Sequence, residues 1–376
     1  MLPFMTPVMA LVIGWRFILH LPLPASVRIL LFVFALLVAE CHLIYRLVFG
    51  NMFSPEFPQP VMVAINVLFG AEILFTLLLV LHGLIAGVAY LAGHPLSHEG
   101  ATNSLLCAIS LAISGYAVWQ AVKVPAVKNV TVNISGLPSA FEGYRLVQLT
   151  DLHASTLLRG KRMAEIVKKT NALHPDLITI TGDIADGTVA DRQQDVAPLR
   201  LLRAGDGVVA IPGNHEYYAD FSGWMREIEA AGIRELMNQS VRIYRGEQSI
   251  VVAGVTDEAA LRFSQPGPSL SDALQGVTQQ DTVILLDHRP VNARQNAASG
   301  VDLQLSGHTH GGMVPGLDIL VKRANHGFYS GEYRLGRMLL YVSNGTGLWN
   351  GFALRLGYPG EITLFTLQKG QQSSPR

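Results

Sequence analysis

Long apolar stretches in the first third of the chain constrain its fold more than any other feature. Four of them approach or exceed the roughly 20 helical residues that cross a hydrocarbon core, at about residues 4–22, 28–49, 61–91 and 102–121. Residues 1–122 hold three arginines, four glutamates and no lysine, and nearly all the other charges of the 376-residue chain lie downstream. A cleaved signal peptide has one short apolar region. Four successive runs therefore predict a retained membrane domain of about four helices over residues 1–122.

The connectors LPLP, SPEFPQP and GHPLSHEG separate the predicted spans. Lysine and arginine near helix ends set the orientation of such spans, but their numbers on the two sides are nearly balanced, so sidedness stays open. Four ionisable residues fall inside the spans, where such groups need a partner or a cavity: Glu40, His42, Glu72 and His82. We expect hydrogen bonds that hold helices together, with a lipid-headgroup or proton site as the alternative.

The composition of the remaining chain excludes two classes of function. Its charge is close to balanced and contains no basic block, which argues against nucleic acid as a main partner. Both cysteines, Cys41 and Cys107, lie in the apolar part. The soluble part therefore has neither a disulfide nor a thiolate nucleophile.

From Tyr144 onward, short β-branched runs alternate with helical stretches, which predicts an α/β fold with largely parallel strands. Several later strands have no helix between them, which indicates a second sheet. We expect an α/β/β/α sandwich of two sheets. The predicted organisation is a linker and entry strand at 123–143, the α/β domain at 144–368 and a disordered tail at 369–376.

Five predicted strands end in Asp, Asn or His. The runs YRLVQLT, DLITIT, GVVAIP, DTVILL and VDLQL are followed by DLH, GD, GNHE, DH and GHTH. Ligands bind at the carboxyl ends of strands in open α/β sheets, so we expect the five clusters to converge. A set of Asp, Asn and His without cysteine favours divalent zinc, manganese or iron.

The spacing of these residues suits a pair of metal ions. In Asp151-x-His153 and His308-x-His310, the i, i+2 spacing sends both side chains to one face at a strand end. Asp183 follows a glycine and can bridge two ions through its two oxygens.

Two further residues complete this chemistry. Asn214 supplies a neutral oxygen ligand, which keeps the charge of a second metal available to an anionic substrate. Two cations can hold a bridging hydroxide as nucleophile and neutralise phosphoryl oxygens. His215 is not needed as a ligand and is the candidate proton donor or charge partner for the leaving group.

The blocks resemble the calcineurin-like metallophosphoesterase family, whose pattern is D-x-H, G-D-x-x-D, G-N-H-E, a lone His and G-H-x-H. All five occur in order, and the resemblance covers about residues 124–368. Within the family the chain is most similar to bacterial membrane-associated phosphoesterases and to transmembrane proteins with a metallophosphoesterase domain. The resemblance implies that His215 is catalytic and that Asp183 bridges two metals, one held by Asp151, His153 and His310 and the other by Asn214, His288 and His308.

Three neighbouring positions carry separate expectations. Asp186 matches the last residue of G-D-x-x-D, and we expect it to orient other groups or to fix a loop rather than to bind metal. Asp287 is either a similar orienting group or a solvated carboxylate. Met313 stands where many close relatives have glutamine, which puts a polar contact near the substrate or around the metal ligands in doubt.

These features predict a membrane-anchored phosphohydrolase with two divalent metal ions. The expected substrate has a phosphodiester or pyrophosphate bond, with a lipid or an envelope precursor as the expected class. We expect a protein that crosses the cell membrane several times, and in a bacterium this is the inner membrane. The alternatives are a catalytically silent sensor or scaffold that binds a phosphorylated ligand, and transport through the spans, although no internal repeat indicates a transporter. The oligomeric state stays open.

Overall fold

A computed structural model describes residues 2–94, 96 and 99–370. The chain divides into two compact units, one of Met1–Gln120 with Asn350–Leu354 and the other of Ala121–Trp349 with Arg355–Arg376. Part of the connector GHPLSHEG and residues 371–376 of the predicted disordered tail lie outside the described residues.

Helices account for most of residues 2–122. Their bounds are α1 Leu2–Arg16, α2 Ala25–Ala39, α3 Cys41–Phe49, α4 Gln59–Leu91 and α5 Glu99–Val122. Two of them, α4 and α5, are long and apolar enough to cross a membrane, and they correspond to the predicted spans 61–91 and 102–121. The predicted span 28–49 is instead two helices bent by 65°, and the apolar helix at Thr6–His20 is shorter than a full span.

Glu40 and His42, two of the four ionisable residues predicted inside the spans, form hydrogen bonds, whereas Glu72 Oε2 and His82 Nδ1 are buried without one to any described residue. The break between α2 and α3 lies at Glu40, whose Oε1 accepts a hydrogen bond from Thr6 Oγ1 at 2.7 Å. His42 Nε2 lies 2.7 Å from the carbonyl oxygen of Gly351. Asn66 Oδ1 accepts from the Ala353 amide at 2.7 Å. The segment Asn350–Leu354 is thus held by two polar residues of the helical unit.

The second unit consists of strands and shorter helices. The strands are β1 Ala126–Ile134, β2 Arg145–Leu149, β3 Leu177–Thr181, β4 Val208–Ile211, β5 Arg234–Glu235, β6 Gln239–Arg245, β7 Gln248–Gly254, β8 Val283–Leu286, β9 Leu303–Ser306, β10 Gly331–Leu335, β11 Met338–Val342 and β12 Glu361–Lys369. The helices are α6 Gly160–Asn171, α7 Val189–Val196, α8 Asn214–Ala219, α9 Phe221–Ala230, α10 Leu270–Ala273, α11 Ala293–Ala298 and α12 Leu317–Ala324.

These strands form two mixed sheets of six strands each. The first has the order β1-β12-β2-β3-β4-β5, and the second has the order β10-β11-β9-β8-β7-β6. The pairs β2–β3, β3–β4 and β4–β5 are parallel in the first sheet, and β7–β8, β8–β9 and β9–β11 are parallel in the second. The pairs β12–β2, β10–β11 and β6–β7 are antiparallel. The predicted entry strand is β1, which runs parallel to β12 from Ala126 opposite Glu361 to Ile134 opposite Lys369.

The sheets pack face to face, as the alternation of their side chains requires. Leu146 and Ile211 of the first sheet share a buried core with Val252 and Leu305 of the second. The opposite face of the first sheet is covered by α6 and α9, and that of the second by α10 and α11. The two-sheet prediction is therefore confirmed, with helices on both outer faces.

The inner layer becomes polar toward the carboxyl ends of the parallel strands. Gln148 of β2 donates from Nε2 to Thr181 Oγ1 at 2.8 Å and to the Ser306 carbonyl of β9 at 3.1 Å. All three residues are buried. The two hydrogen bonds from the Gln148 amide nitrogen therefore join the two sheets at the strand ends that lead into the loops with the predicted metal ligands.

Candidate metal centre

The structure brings the predicted ligands together at one edge of the sandwich. Three groups have ligand atoms that lie within 4.8 Å of one another. The first two are Asp151 with His153 and His310, and Asp183 with His288 and His308; the third is His153 with Asp186 and His215. Each group draws on loops that follow different strands, so the site forms only when both sheets are folded.

Asp183 lies between the first two groups. Its Oδ2 is 3.3 Å from His288 Nε2 and 3.7 Å from His153 Nε2. Its Oδ1 accepts a hydrogen bond from the His215 amide at 2.8 Å. Asn214, the residue before His215, is buried and begins α8. The carboxylate of Asp183 thus faces histidines from both groups.

The ligand loops adopt strained backbone conformations. Five of the predicted metal ligands have positive φ angles, namely Asp151 (52°), His153 (46°), Asp183 (54°), His308 (68°) and His310 (50°). Non-glycine residues in this region cost on the order of 1 kcal/mol or more each and persist only when their surroundings fix them. Clusters of such residues are typical of functional sites.

Backbone hydrogen bonds between the loops supply that fixation. The Asp151 amide donates to the Gly182 carbonyl, and the His153 amide donates to the Asp183 carbonyl, both at 3.0 Å. The His308 amide donates to both carboxylate oxygens of Asp151 at 3.1 Å. The loop after β9 is thereby attached to the loop after β2.

Glu216 is a positioning residue that the sequence analysis did not single out, although it belongs to the GNHE block. Its buried carboxylate accepts from the amides of Gly213 at 2.7 Å, Asp183 at 3.0 Å and Ile184 at 2.7 Å. Hydrogen bonds from amides to a carboxylate are stronger than neutral ones. Glu216 therefore ties the Asp183 loop to the start of α8.

Two glycines permit these loops to approach each other. A Cβ on Gly182, whose φ is +91°, would lie 2.6 Å from Gly213 Cα and 2.7 Å from His288 Nδ1. A Cβ on Gly213 would lie 2.3 Å from Asp183 Oδ1. Since real Cβ atoms do not approach so closely, both positions require glycine.

Buried atoms without partners show that the residues fit a metal. Four buried atoms of the predicted ligands make no hydrogen bond with the described residues: His153 Nε2, His288 Nε2, Asn214 Oδ1 and His310 Nδ1. His153 donates from Nδ1 to Asp186 at 2.8 Å and His288 donates from Nδ1 to the Thr181 carbonyl at 2.7 Å, which leaves each Nε2 as an acceptor. Unpaired buried acceptors are costly, and divalent cations are their natural partners.

The carboxylates and histidines of the site shift one another's pKa values. Burial would raise the pKa of Asp183, but His288 and His215 hold that pKa well below its usual range. Burial opposes protonation of His215 and His288, yet the carboxylates of Asp183 and its neighbours raise the pKa of His215 to about 9 and that of His288 to about 10. Without a metal ion, protonated His215 and His288 therefore offset carboxylate charge. A bound divalent cation would take over that role and would displace the Nε2 proton of His288, which makes this atom an acceptor.

Asp186 serves two histidines at once. Its Oδ1 accepts from His153 Nδ1 at 2.8 Å and from His215 Nδ1 at 2.7 Å. Burial would raise the pKa of Asp186, but these two imidazoles hold it below its usual range. Asp186 is a buried anion that orients one predicted ligand and the predicted proton donor.

Asp287 and Met313 have defined surroundings. Asp287 is buried and accepts from Asn296 Nδ2 at 3.0 Å, so the alternative of a solvated carboxylate is wrong. Met313, with φ +61°, is half-buried, and its carbonyl accepts from the Leu356 amide at 2.9 Å. The contact that Met313 makes in this turn is a hydrogen bond of its backbone carbonyl.

The side chain of Arg289 is half-buried beside the histidines, at a position that the sequence analysis did not identify. Arg289 directly follows His288 and donates from Nε to Asp257 Oδ2 at 2.7 Å. Tyr218 lies nearby, with its ring centroid 5.3 Å from that of His215. The only sequence signal for Arg289 is its position after the lone histidine.

Arg355 supports the loop beneath the ligands. Only 2% of the residue is exposed, and its Nη2 donates to the carbonyls of Asn344 and Gly347, both at 2.6 Å. The Gly347 amide in turn donates to the Asp151 carbonyl at 2.7 Å. A buried guanidinium therefore fixes the loop on which Asp151 rests.

Comparison with known proteins gives a consistent result. A family model described as calcineurin-like phosphoesterase matches residues 144–312. A transmembrane protein with metallophosphoesterase domain from Danio rerio is 33% identical over 270 residues, which cover 69% of this chain and 61% of that protein. An uncharacterised metallophosphoesterase of Helicobacter pylori is 30% identical and covers 74% of each chain. Another from Bacillus subtilis is 30% identical over 68% of this chain and 89% of its own length.

The extent of these matches differs between the relatives. This chain spans about three fifths of the length of the two vertebrate transmembrane proteins that it matches, with coverage of 61% and 62%. It spans most of the Bacillus subtilis protein, with coverage of 89%.

Proposed function

This chain belongs to the calcineurin-like metallophosphoesterase family, and from that premise we propose that it is a membrane-anchored dinuclear phosphohydrolase. Its proposed reaction is hydrolysis of a phosphodiester or pyrophosphate bond in a lipid or lipid-linked substrate. The observation that carries the proposal is the pair of three-residue ligand groups, one of which contains Asp183, together with the unpaired ligand atoms of His153, His288, Asn214 and His310.

The proposed ligand sets extend those two groups by adding Asn214 to the second and by sharing Asp183 between the two ions. Asp151, His153 and His310 would hold one ion, and Asn214, His288 and His308 would hold the other, with Asp183 as the bridging carboxylate. Divalent cations in such a site activate water and neutralise charge on phosphoryl oxygens. Manganese, zinc and iron all suit the ligand types.

His215 is the proposed general acid for the leaving oxygen. Without a bound metal, Asp183 and Asp186 raise the pKa of His215 to about 9 against the effect of burial, which favours the protonated imidazole. Its Nδ1 is engaged by Asp186 at 2.7 Å, which leaves Nε2 to face the reacting group. An oriented, protonated imidazole is the group that proton transfer to a leaving alkoxide requires.

Arg289 is the proposed contact for a phosphoryl oxygen of the substrate. Its Nε is fixed by Asp257, so the guanidinium is held beside His288 with little conformational freedom. Arginine binds phosphate through parallel hydrogen bonds from its planar fork. This contact would act on binding more than on bond cleavage.

The membrane part of the proposal rests on the helical unit. Helices α4 and α5 are long and apolar enough to span a bilayer. We propose a multi-pass protein of the cell membrane in which the apolar segments of α1, α2 and α3 add further spans, up to the four indicated by the sequence. A membrane anchor would keep the metal site close to a lipid substrate.

The test uses the purified full chain in detergent or nanodiscs with manganese. We expect hydrolysis of bis-p-nitrophenyl phosphate and of at least one lipid phosphodiester or pyrophosphate, and a loss of about 100-fold or more in His215→Ala. Binding of a phosphorylated ligand without turnover would support the silent-sensor alternative. No hydrolysis together with no bound metal would exclude the proposal.

A further inference from the structure

Exposed apolar side chains in the second unit are concentrated next to the metal centre. Among the described residues after Ala121, six large hydrophobic side chains are exposed. Four of them lie on two segments, Ile319 (65% exposed) and Leu320 (61%) on α12, and Leu261 (68%) and Phe263 (44%) on the 3₁₀ segment Glu258–Phe263. Scattered exposed apolar residues are normal, but a cluster around a site calls for a partner.

Both segments are attached to the ligand loops. Helix α12 begins five residues after Gly312, where a Cβ would lie 2.5 Å from Asp318 Cα, so the first turn of α12 packs against the metal turn. The ring of Phe263 lies 6.2 Å from that of Tyr218, which in turn lies 5.3 Å from His215. The two apolar segments therefore flank the metal centre.

Unpaired positive charge accompanies the apolar side chains. Arg262 stands between Leu261 and Phe263, and Arg323 lies between Ile319 and Leu320 on the helical surface, since successive residues are rotated by about 100°. Neither arginine makes an ion pair with another described residue. Both are exposed.

The acidic residues of α12 and of the 3₁₀ segment, half-buried Asp318 and exposed Glu258, each accept hydrogen bonds from neighbouring residues. Asp318 accepts from the Gly316 amide at 2.7 Å and from Tyr358 Oη at 3.1 Å. Glu258 accepts from Asn292 Nδ2 at 3.1 Å. The exposed arginines Arg262 and Arg323 have no such partner in the described part of the chain and lie directly beside the exposed apolar side chains.

We propose that α12 and the segment Glu258–Phe263 form an interfacial surface that docks the metal edge on an anionic lipid bilayer. Apolar side chains enter the boundary between headgroups and acyl chains, while arginine side chains pair with anionic headgroups. The docking itself is independent of catalysis. Its consequence, that the metal centre acts on a headgroup phosphate in the membrane plane, rests on the proposed function.

The test uses the full chain reconstituted in nanodiscs of phosphatidylcholine alone or of phosphatidylcholine with phosphatidylglycerol. The measured quantity is the rate of amide hydrogen exchange in α12. We expect exchange to be slowed about tenfold by phosphatidylglycerol, because each basic residue adds attraction to an anionic surface. The double variant Ile319→Asp/Leu320→Asp removes that protection. The matched control is Leu201→Asp, which changes an exposed leucine (58%) elsewhere in the same unit and should retain it.

A second readout separates docking from damage to the site. Metal content of the double variant should equal that of the parent, while its turnover of a bilayer lipid relative to soluble bis-p-nitrophenyl phosphate should fall about tenfold. Equal exchange in both nanodiscs would overturn the docking proposal. So would protection that follows protein concentration rather than lipid charge, which would identify a contact between copies of the chain. If neither substrate is hydrolysed, the proposed function fails and the exchange measurement still decides the docking.

Discussion

His153 and His215 donate hydrogen bonds to the same oxygen, Asp186 Oδ1, over 2.8 and 2.7 Å. One imidazole is a proposed metal ligand and the other is the proposed general acid. A single buried carboxylate thus sets the tautomer and the orientation of both rings, which lie 4.6 Å apart between centroids. If both proposed roles hold, Asp186 couples metal binding to proton transfer.

Asp186→Asn should weaken both functions together. An amide cannot act as the anionic acceptor for two imidazole N–H groups, so we expect metal affinity to fall about 10- to 100-fold and kcat at saturating metal to fall about 100-fold. Metal titration and steady-state kinetics measure the two effects. Asp272→Asn, at an exposed position on α10, is the control. Normal metal affinity in Asp186→Asn would contradict the coupling.

Gly182→Ala and Gly207→Ala separate backbone strain from a clash at the site. Both glycines have φ near +90°, at +91° and +93°, but a Cβ has no heavy atom within 4 Å at Gly207 and meets Gly213 and His288 at Gly182. We expect Gly207→Ala to cost about 1 kcal/mol of stability with normal metal content. Gly182→Ala should lose metal and activity. Equal metal content in the two variants would argue against the close approach of these loops.

Arg289→Gln should affect substrate binding more than catalysis. Loss of a charge-assisted contact to phosphate is expected to raise KM about tenfold, with a smaller change in kcat. Arg234→Gln, at an exposed arginine on β5, is the matched control and should keep the parent KM. An unchanged KM in Arg289→Gln, or a fall in kcat alone, would remove Arg289 from the substrate contact.

Asn66→Leu tests the attachment of Asn350–Leu354 within the helical unit. The change leaves the Ala353 amide without its 2.7 Å acceptor and the Asn350 carbonyl without its 3.3 Å donor. Unsatisfied buried groups cost about 1–3 kcal/mol each, so thermal unfolding of the full chain should begin at a clearly lower temperature. Ser104→Ala, at an exposed position of α5, serves as control. Identical unfolding of both variants would show that this attachment contributes nothing.

Local patterns were sufficient to predict two sheets and to place the proposed ligands at the ends of strands. A run such as DLITIT followed by Gly182 and Asp183 specifies a buried strand, a tight turn and a carboxylate within a few residues. Asp151, Asn214, His288 and His308 follow strands in the same way. The Asp, Asn and His side chains follow each strand in the sequence because the backbone turns at the edge of the sheet.

Relationships between distant segments could not be predicted in this way. Glu216 accepts amides from the Asp183 loop, and Arg355 supports the Asp151 loop, because the sheet order places those loops side by side. The positive φ of Asp151 depends on the same contacts. The bend of 65° beside Glu40 likewise divides an apolar run whose hydropathy alone predicts one continuous span.

The most direct test of the central claim is the metal content of the purified full chain, measured by inductively coupled plasma mass spectrometry beside the Asp183→Asn variant. We predict about two divalent ions per chain in the parent, since each ligand group requires one. The variant should lose at least one of them, together with phosphoesterase activity. A parent chain that binds no metal after reconstitution with manganese, zinc or iron, or a variant that keeps the parent's full content, would contradict the account.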